Sequence, residues 1–126
     1  MNNGNRKEHR YSTCILNPER AYVEINTGII IRGSIVDLSA GGLAFEISNP
    51  GDEISAVDKA KGYSVEIVID SLKIVTAVQK VWGFFKNSDS ESVYLSGVRF
   101  ETISNDDRLK LYNVIERIRD ISLSGS

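Results

Sequence analysis

The strongest constraint on the fold is a series of short apolar segments that have the period of a β-strand and are separated by turn residues. Ala21, Val23 and Ile25 alternate with more polar neighbours, as in a half-buried strand. Further alternating or β-branched segments lie near residues 29–36, 43–47, 65–69, 72–85 and 93–100. Six strands at this spacing predict a mainly β domain, either a sandwich or a small barrel.

Turn signals mark where these segments end. Residues 26–28 (NTG) and 49–51 (NPG) have strong turn preferences, and the polar run 87–92 (NSDSES) is typical of an exposed loop. The tight connection at Asp70 and Ser71 predicts a hairpin between its two flanking strands.

The period changes near the C-terminus, where apolar residues recur every three or four positions. They are Leu111, Val114, Ile115, Ile118 and Ile121. Ser104 followed by Asp107 resembles a capping box. The pattern predicts a helix over about 105–121 that packs on the mouth or outer face of the barrel, with a frayed tail at 122–126.

Composition and charge exclude several classes of function. The chain has 126 residues, of which 41% are hydrophobic and 25% charged, as expected for one soluble globular domain. Its net charge of -2 argues against a protein that binds long duplex nucleic acid. No apolar run is long enough to span a membrane, and residues 1–15 lack the apolar core of a signal peptide. We therefore expect a cytoplasmic protein.

The residue inventory gives no support for an enzyme or a metal centre. Cys14 is the single cysteine and His9 the single histidine, too few for a zinc site of nitrogen and sulfur ligands. Cys14 is expected to be a partly buried strand residue. His9 lies in a polar segment that would fix its orientation too poorly for a catalytic triad. The segment SAGG at 39–42 lacks the lysine of a phosphate-binding loop. No resident cofactor is expected.

Two polar segments instead suggest a site for a small anionic ligand that contains a purine. Arg6 and Arg10 lie in RKEHR, and a guanidinium can form a bidentate contact with a phosphate or with the O6/N7 edge of guanine. In DLSAGG, Asp37 ends a strand, where its carboxylate can accept hydrogen bonds from guanine, and Ser39 can add another. Taken singly, each segment is also typical of an ordinary turn or a solvated arm.

The glycines that follow Asp37 suggest how a ligand would approach the backbone. Gly41 and Gly42 permit a positive φ angle and have no Cβ. We therefore expect an open turn there that a ligand can approach closely.

Together the two segments resemble the signature of the PilZ domain, a bacterial family that binds cyclic di-GMP (c-di-GMP). That signature is R-x-x-x-R on an N-terminal arm followed by [D/N]-x-S-x-x-G on a barrel strand, matched here by Arg6 and Arg10 and by Asp37, Ser39 and Gly42. The similarity continues through 35–47, 78–83 and 95–100. It implies a six-stranded antiparallel β-barrel with a C-terminal helix, with a flexible arm at 1–11 and the barrel and helix at 12–121.

The resemblance also implies roles for individual residues. Arg6 and Arg10 would bind phosphates and guanine edges, Asp37 and Ser39 would hydrogen-bond guanine, and Gly42 would keep the turn open. Trp82, which follows Lys80, is expected either to stack on a base or to lie in the core. Arg99 is expected either to line the site or to cap the barrel through a carboxylate.

Stoichiometry and signalling follow from the same resemblance. Family members with a further Arg directly before R-x-x-x-R tend to bind a pair of ligand molecules, whereas this chain has Asn5 there, so one c-di-GMP per chain is expected. We expect a stand-alone receptor whose arm is ordered by the ligand and which then signals to a protein partner. The alternatives are a PilZ-like interaction module that binds no nucleotide and a small barrel that binds single-stranded nucleic acid.

Overall fold

The computed structural model describes residues 11–12, 21–88 and 90–124, with side chains for 21–88 and 90–117. Its elements are β1 (Tyr11–Ser12), β2 (Ala21–Asn26), β3 (Ile30–Leu38), β4 (Gly42–Ser48), α1 (Ile54–Lys59), β5 (Gly62–Ile69), β6 (Leu72–Asn87), β7 (Ser92–Thr102) and α2 (Asn105–Ser124). The six longer strands are antiparallel and follow the order β3-β2-β5-β6-β7-β4, and pairing of β3 with β4 closes the barrel. The predicted six-stranded barrel with a C-terminal helix is confirmed.

Alternation along the strands builds the core inside this barrel. In β2, buried residues alternate with more exposed ones, as the sequence pattern predicted. Each of the six longer strands contributes its inward set to one continuous apolar cluster, whose fully buried members include Val23, Leu43, Phe45, Ile67 and Ile74.

Helix α2 packs on this core, as predicted. Its buried residues Leu111, Val114 and Ile115 belong to the same apolar cluster as the barrel interior. The backbone N–H of Asp107 donates to Ser104 Oγ at 3.1 Å, which caps the first turn. Arg117 Nη1 lies 3.7 Å from Asp70 Oδ2 in the β5–β6 turn, so the helix is also held at the rim of the barrel.

Two boundaries and one helix differ from the sequence-based prediction. Tyr11, which was assigned to the arm, lies in β1 and pairs with Leu38. Helix α2 ends at Ser124 rather than near Ile121. Helix α1 was not predicted, because only two of its six residues, Ile54 and Val57, are buried, too few to establish a helical period.

The predicted β5–β6 hairpin is confirmed. Ile69 pairs with Leu72, which leaves Asp70 and Ser71 as the connection. Asp70 has a φ of 55°, a left-handed conformation that aspartate tolerates better than most residues.

Candidate functional site

A β-bulge in β3 turns Asp37 toward the outside of the barrel. Ile35 is buried and pairs with the core residue Phe45, so strict alternation would point Asp37 inward as well. The register instead shifts between Ile35 and Asp37, and Asp37 pairs with Ala44. Because an extra residue re-aims the side chains that follow it, the carboxylate reaches the partly exposed outer face.

A second β-bulge, in β6, turns Trp82 toward the outside of the barrel. Lys80 pairs with the buried residue Val98, and the register then shifts so that Trp82 pairs with Gly97. Trp82 is 38% exposed and is absent from the core cluster. The expectation that Trp82 might be a core residue is therefore wrong, whereas base stacking by its indole stays a prediction.

Asp37 and Trp82 lie in one row of cross-strand neighbours, which continues beyond Asp37 to Ser12 of β1. The row crosses four strands as Asp37, Ala44, Gly97 and Trp82, and residues paired in register project on the same face. The two central residues have the smallest side chains, and the indole lies over Gly97, where a Cβ would overlap it. We call this row the floor: it has a carboxylate at one end and an aromatic ring at the other, and its central residues Ala44 and Gly97 are themselves buried, Gly97 beneath the indole.

Ala44 and Gly97 were not identified from the sequence as part of the site. A signal did exist for Gly97, since an isolated glycine inside a strand often marks close approach of another group. Ala44 carries no such signal, because its role depends on which residues pair across β3, β4 and β7.

Ser39 organises the β3–β4 turn beside this floor. Its backbone N–H donates to the Gly42 carbonyl at 2.9 Å, and its hydroxyl donates to the same carbonyl at 3.3 Å while accepting from the Gly41 N–H at 3.3 Å. Ser39 is only 1% exposed. The hydroxyl is thus engaged within the turn, and its predicted bond to guanine stays a prediction.

The two glycines of this turn do not use positive φ angles. Among the described glycines only Gly28 does so, with a φ of 100°. Gly42 is instead required by close packing, because a Cβ there would overlap the backbone carbonyl of Val98 in β7. The suggestion that Gly41 and Gly42 are needed for a positive φ is therefore wrong, whereas close approach of a ligand to this turn stays a prediction.

Arg99 lies on the outer face next to Gly42, with which it pairs in register. Its guanidinium donates to the side-chain oxygen of Gln79, and Gln79 Nε2 in turn donates to Glu101 Oε2 at 3.1 Å. The partner is therefore an amide rather than the carboxylate that was expected. A role for Arg99 in ligand binding stays a prediction.

Lys80 lies away from this face, in a polar cluster with Asp58 of α1 and Tyr94 of β7. Its Nζ lies 3.2 Å from Asp58 Oδ1, which also accepts from the Tyr94 hydroxyl at 3.0 Å. Burial raises the pKa of Tyr94, and the bond to Asp58 adds to the shift. Burial likewise raises the pKa of Tyr63 to about 12.

Ser96 links this region to the backbone of β6, since its hydroxyl donates to the Trp82 carbonyl at 2.8 Å. That bond anchors the strand at the point where the indole projects outward.

A cavity of about 280 Å³ adjoins the β3–β4 turn. Ala40 and Gly41 line one side of it and Arg108 of α2 another. Arg108 is thus a cation near the site that the sequence did not single out.

The predicted site residues Arg6 and Arg10 lie outside the described residues, as do Asn5, His9 and Cys14. Within the described ranges, no group of His, Cys, Asp and Glu side chains is arranged to hold a metal ion. No helix in that part of the chain is long and apolar enough to cross a membrane.

Solved structures with the same fold include complexes with c-di-GMP. The PilZ domain of YcgR from Escherichia coli with c-di-GMP gives a TM-score of 0.75 at 13% identity and covers 96% of both chains. The K. pneumonia MrkH complex with c-di-GMP gives 0.75 at 16% identity, over 96% of this chain and 55% of that one. Borreliella burgdorferi PlzA in complex with c-di-GMP gives 0.60 at 14% identity, over 97% and 53%. This chain therefore spans about half the length of MrkH and PlzA.

A search of curated protein sequences found no match. The family model for the PilZ domain, in contrast, matches residues 4–117, most of the chain. The match includes both segments in which the signature was found, R-x-x-x-R at Arg6 and Arg10 and D-x-S-x-x-G from Asp37 to Gly42. This chain belongs to the PilZ domain family.

Proposed function

We propose that the chain is a receptor for c-di-GMP, which binds on the outer face of the barrel over the row from Asp37 to Trp82. The observation that carries this proposal is the pair of β-bulges, which bring a carboxylate and an indole to opposite ends of one floor of small residues. Family membership supports it, as do the c-di-GMP complexes of YcgR, MrkH and PlzA.

Each end of the floor suits one part of the ligand. A carboxylate accepts hydrogen bonds only, so Asp37 matches the N1-H and N2-H donors of guanine. Ala44 and Gly97 place no large side chain between the two ends, and the exposed part of the Trp82 indole, which covers Gly97, can stack on a base. Arg99, which pairs with Gly42, would supply a cation at the same face.

The arginines of the N-terminal segment complete the proposed site. That segment joins the barrel at Tyr11, which pairs with Leu38, the residue directly after Asp37. Arg6 and Arg10 would bind the phosphates and guanine edges, since a guanidinium forms bidentate contacts with both. Ser39 and Gly42 would act chiefly by holding the turn in place.

Isothermal titration of c-di-GMP into the purified protein tests the proposal, with GTP as control ligand. We expect saturable binding with a Kd near micromolar, which corresponds to a binding free energy of about -8 kcal/mol, and one ligand per chain. Weaker or absent binding of GTP would show that the site needs the cyclic dinucleotide. No heat with either ligand would contradict the proposal and favour an interaction module that binds no nucleotide.

We further propose that binding orders the N-terminal segment and thereby signals to a protein partner. The ligand can do so only through its higher affinity for the ordered state. Limited proteolysis is expected to cut within residues 1–10 in the free protein and more slowly when c-di-GMP is saturating. Equal cleavage rates with and without bound ligand would contradict the ordering step while leaving the receptor function intact.

A further inference from the structure

Strand β6 extends beyond the strand with which it pairs on one side. The pairing of β5 with β6 stops at Gly62 and Gln79, and the Lys80 N–H then donates to the Lys61 carbonyl at 2.8 Å. From Trp82 to Asn87, β6 pairs with β7, but no described residue pairs with its other side. We call Trp82–Asn87 the free edge. Unpaired backbone groups on such an edge can template another strand.

The side chains at the free edge are unusually apolar for a strand in contact with solvent. Four of the nine large apolar side chains that are exposed in the described part of the chain lie between positions 81 and 85. They are Val81, Trp82, Phe84 and Phe85. Edges are normally protected by charges, prolines or bulges, but here Lys86 is the single charged residue from 82 to 87. Trp82 and Phe84 project on the outer face with their ring centroids 5.6 Å apart, whereas Phe85 lies on the other face against Tyr94. Adjacent exposed apolar side chains such as Trp82 and Phe84 mark an interaction site.

The neighbouring charges favour a protein strand over a nucleic acid as the occupant. Phe84 pairs with Leu95, and Leu95 pairs with Glu46, so a carboxylate lies in the same outward row as the exposed ring. Glu46 forms no ion pair with any described residue. Its charge would repel a phosphate backbone.

We propose that the occupant is a second copy of this chain, whose free edge pairs antiparallel with the first to form a two-fold symmetric dimer. With the symmetry axis at Phe84, the two Phe84 rings are cross-strand neighbours and Lys86 of each copy lies beside Trp82 of the other. Aromatic pairs and cation–π contacts stabilise such neighbours. This register also keeps the two Lys86 ammonium groups apart, so the edge is complementary to itself.

The size of the free edge sets the strength of the expected dimer. Six residues on each side bury less than the roughly 1,200–2,000 Å² of a stable interface. The dimer should therefore be weak, forming as the protein concentration rises from low micromolar toward millimolar.

Sedimentation velocity over that concentration range, without c-di-GMP, tests the dimer independently of the proposed function. We expect the unmodified chain to shift from monomer to dimer, and Phe84→Lys to stay monomeric because two lysines would then face each other. Val75→Lys is the matched control: Val75 is 65% exposed on the same strand, in the part already paired with β5. A chain that stays monomeric throughout, or a Phe84→Lys variant that dimerises normally, would overturn the proposal.

Cysteine cross-linking tests the register. In a Cys14→Ser background, Phe84→Cys is expected to form an intermolecular disulfide, because directly opposed Cβ atoms lie about 5 Å apart. Lys86→Cys should not, since the two copies of residue 86 are separated along the strand. Efficient cross-linking at 86 and none at 84 would rule out the register centred on Phe84.

Discussion

Replacing Gly42 by alanine is expected to lower the free energy of unfolding by about 3 kcal/mol. The added Cβ would overlap the Val98 carbonyl and lie 3.1 Å from the Cα of Arg99. Both obstacles are backbone atoms of β7, which is paired on both sides, with β4 and with β6. Since β7 cannot move aside, β4 would have to separate from it. Urea denaturation followed by circular dichroism measures the loss.

Gly51→Ala is the matched control for this prediction. A Cβ at Gly51 would meet only the carboxylate of Glu53, the end of a flexible, exposed side chain. Its stability should change by no more than about 0.5 kcal/mol. If Gly42→Ala proved as stable as Gly51→Ala, the account of Gly42 as the point of closest approach between β4 and β7 would be wrong.

Glycine roles show one limit of prediction from sequence. The pair Gly41 and Gly42 suggested a local requirement, a positive φ in a turn, because that is the commonest reason for glycine between strands. In the structure, the absence of a Cβ at Gly42 instead allows close contact with Val98 of β7, which lies more than fifty residues away in the chain. Only knowledge of the strand order reveals such a contact.

The outward direction of the Asp37 and Trp82 side chains shows a second limit of prediction from sequence. Periodicity of apolar residues was enough to predict the strands and the helix, because burial follows period. The choice of a barrel over a sandwich came from the resemblance to the PilZ family. A β-bulge breaks that period by one residue and leaves little trace in the local sequence. The sequence therefore identified Asp37 as a candidate site residue but left Trp82 undecided between core and surface, and it missed the floor between them.

The ligand-binding effect of largest expected size is at Asp37. Asp37→Ala should weaken c-di-GMP binding by about 1–3 kcal/mol, or roughly five- to 150-fold in Kd, because it removes an acceptor for the guanine donors. Since the bulge directs this side chain outward, its removal leaves no cavity in the core. Titration calorimetry should therefore show a loss of affinity, while circular dichroism should show that the barrel still folds.

Asp52→Ala is the matched control for this prediction, and Asp37→Asn separates the contribution of the hydrogen bond from that of the charge. Asp52→Ala removes an exposed carboxylate between β4 and α1 and should bind c-di-GMP as the unmodified chain does. Asp37→Asn keeps one acceptor oxygen, in line with the [D/N] alternative of the family signature, and should lose less affinity than Asp37→Ala. Unchanged affinity in Asp37→Ala, in a protein that still binds the ligand, would mean that guanine is recognised elsewhere on the barrel. Equal losses in the alanine and asparagine variants would instead identify the negative charge, rather than the acceptor geometry, as the contribution of Asp37.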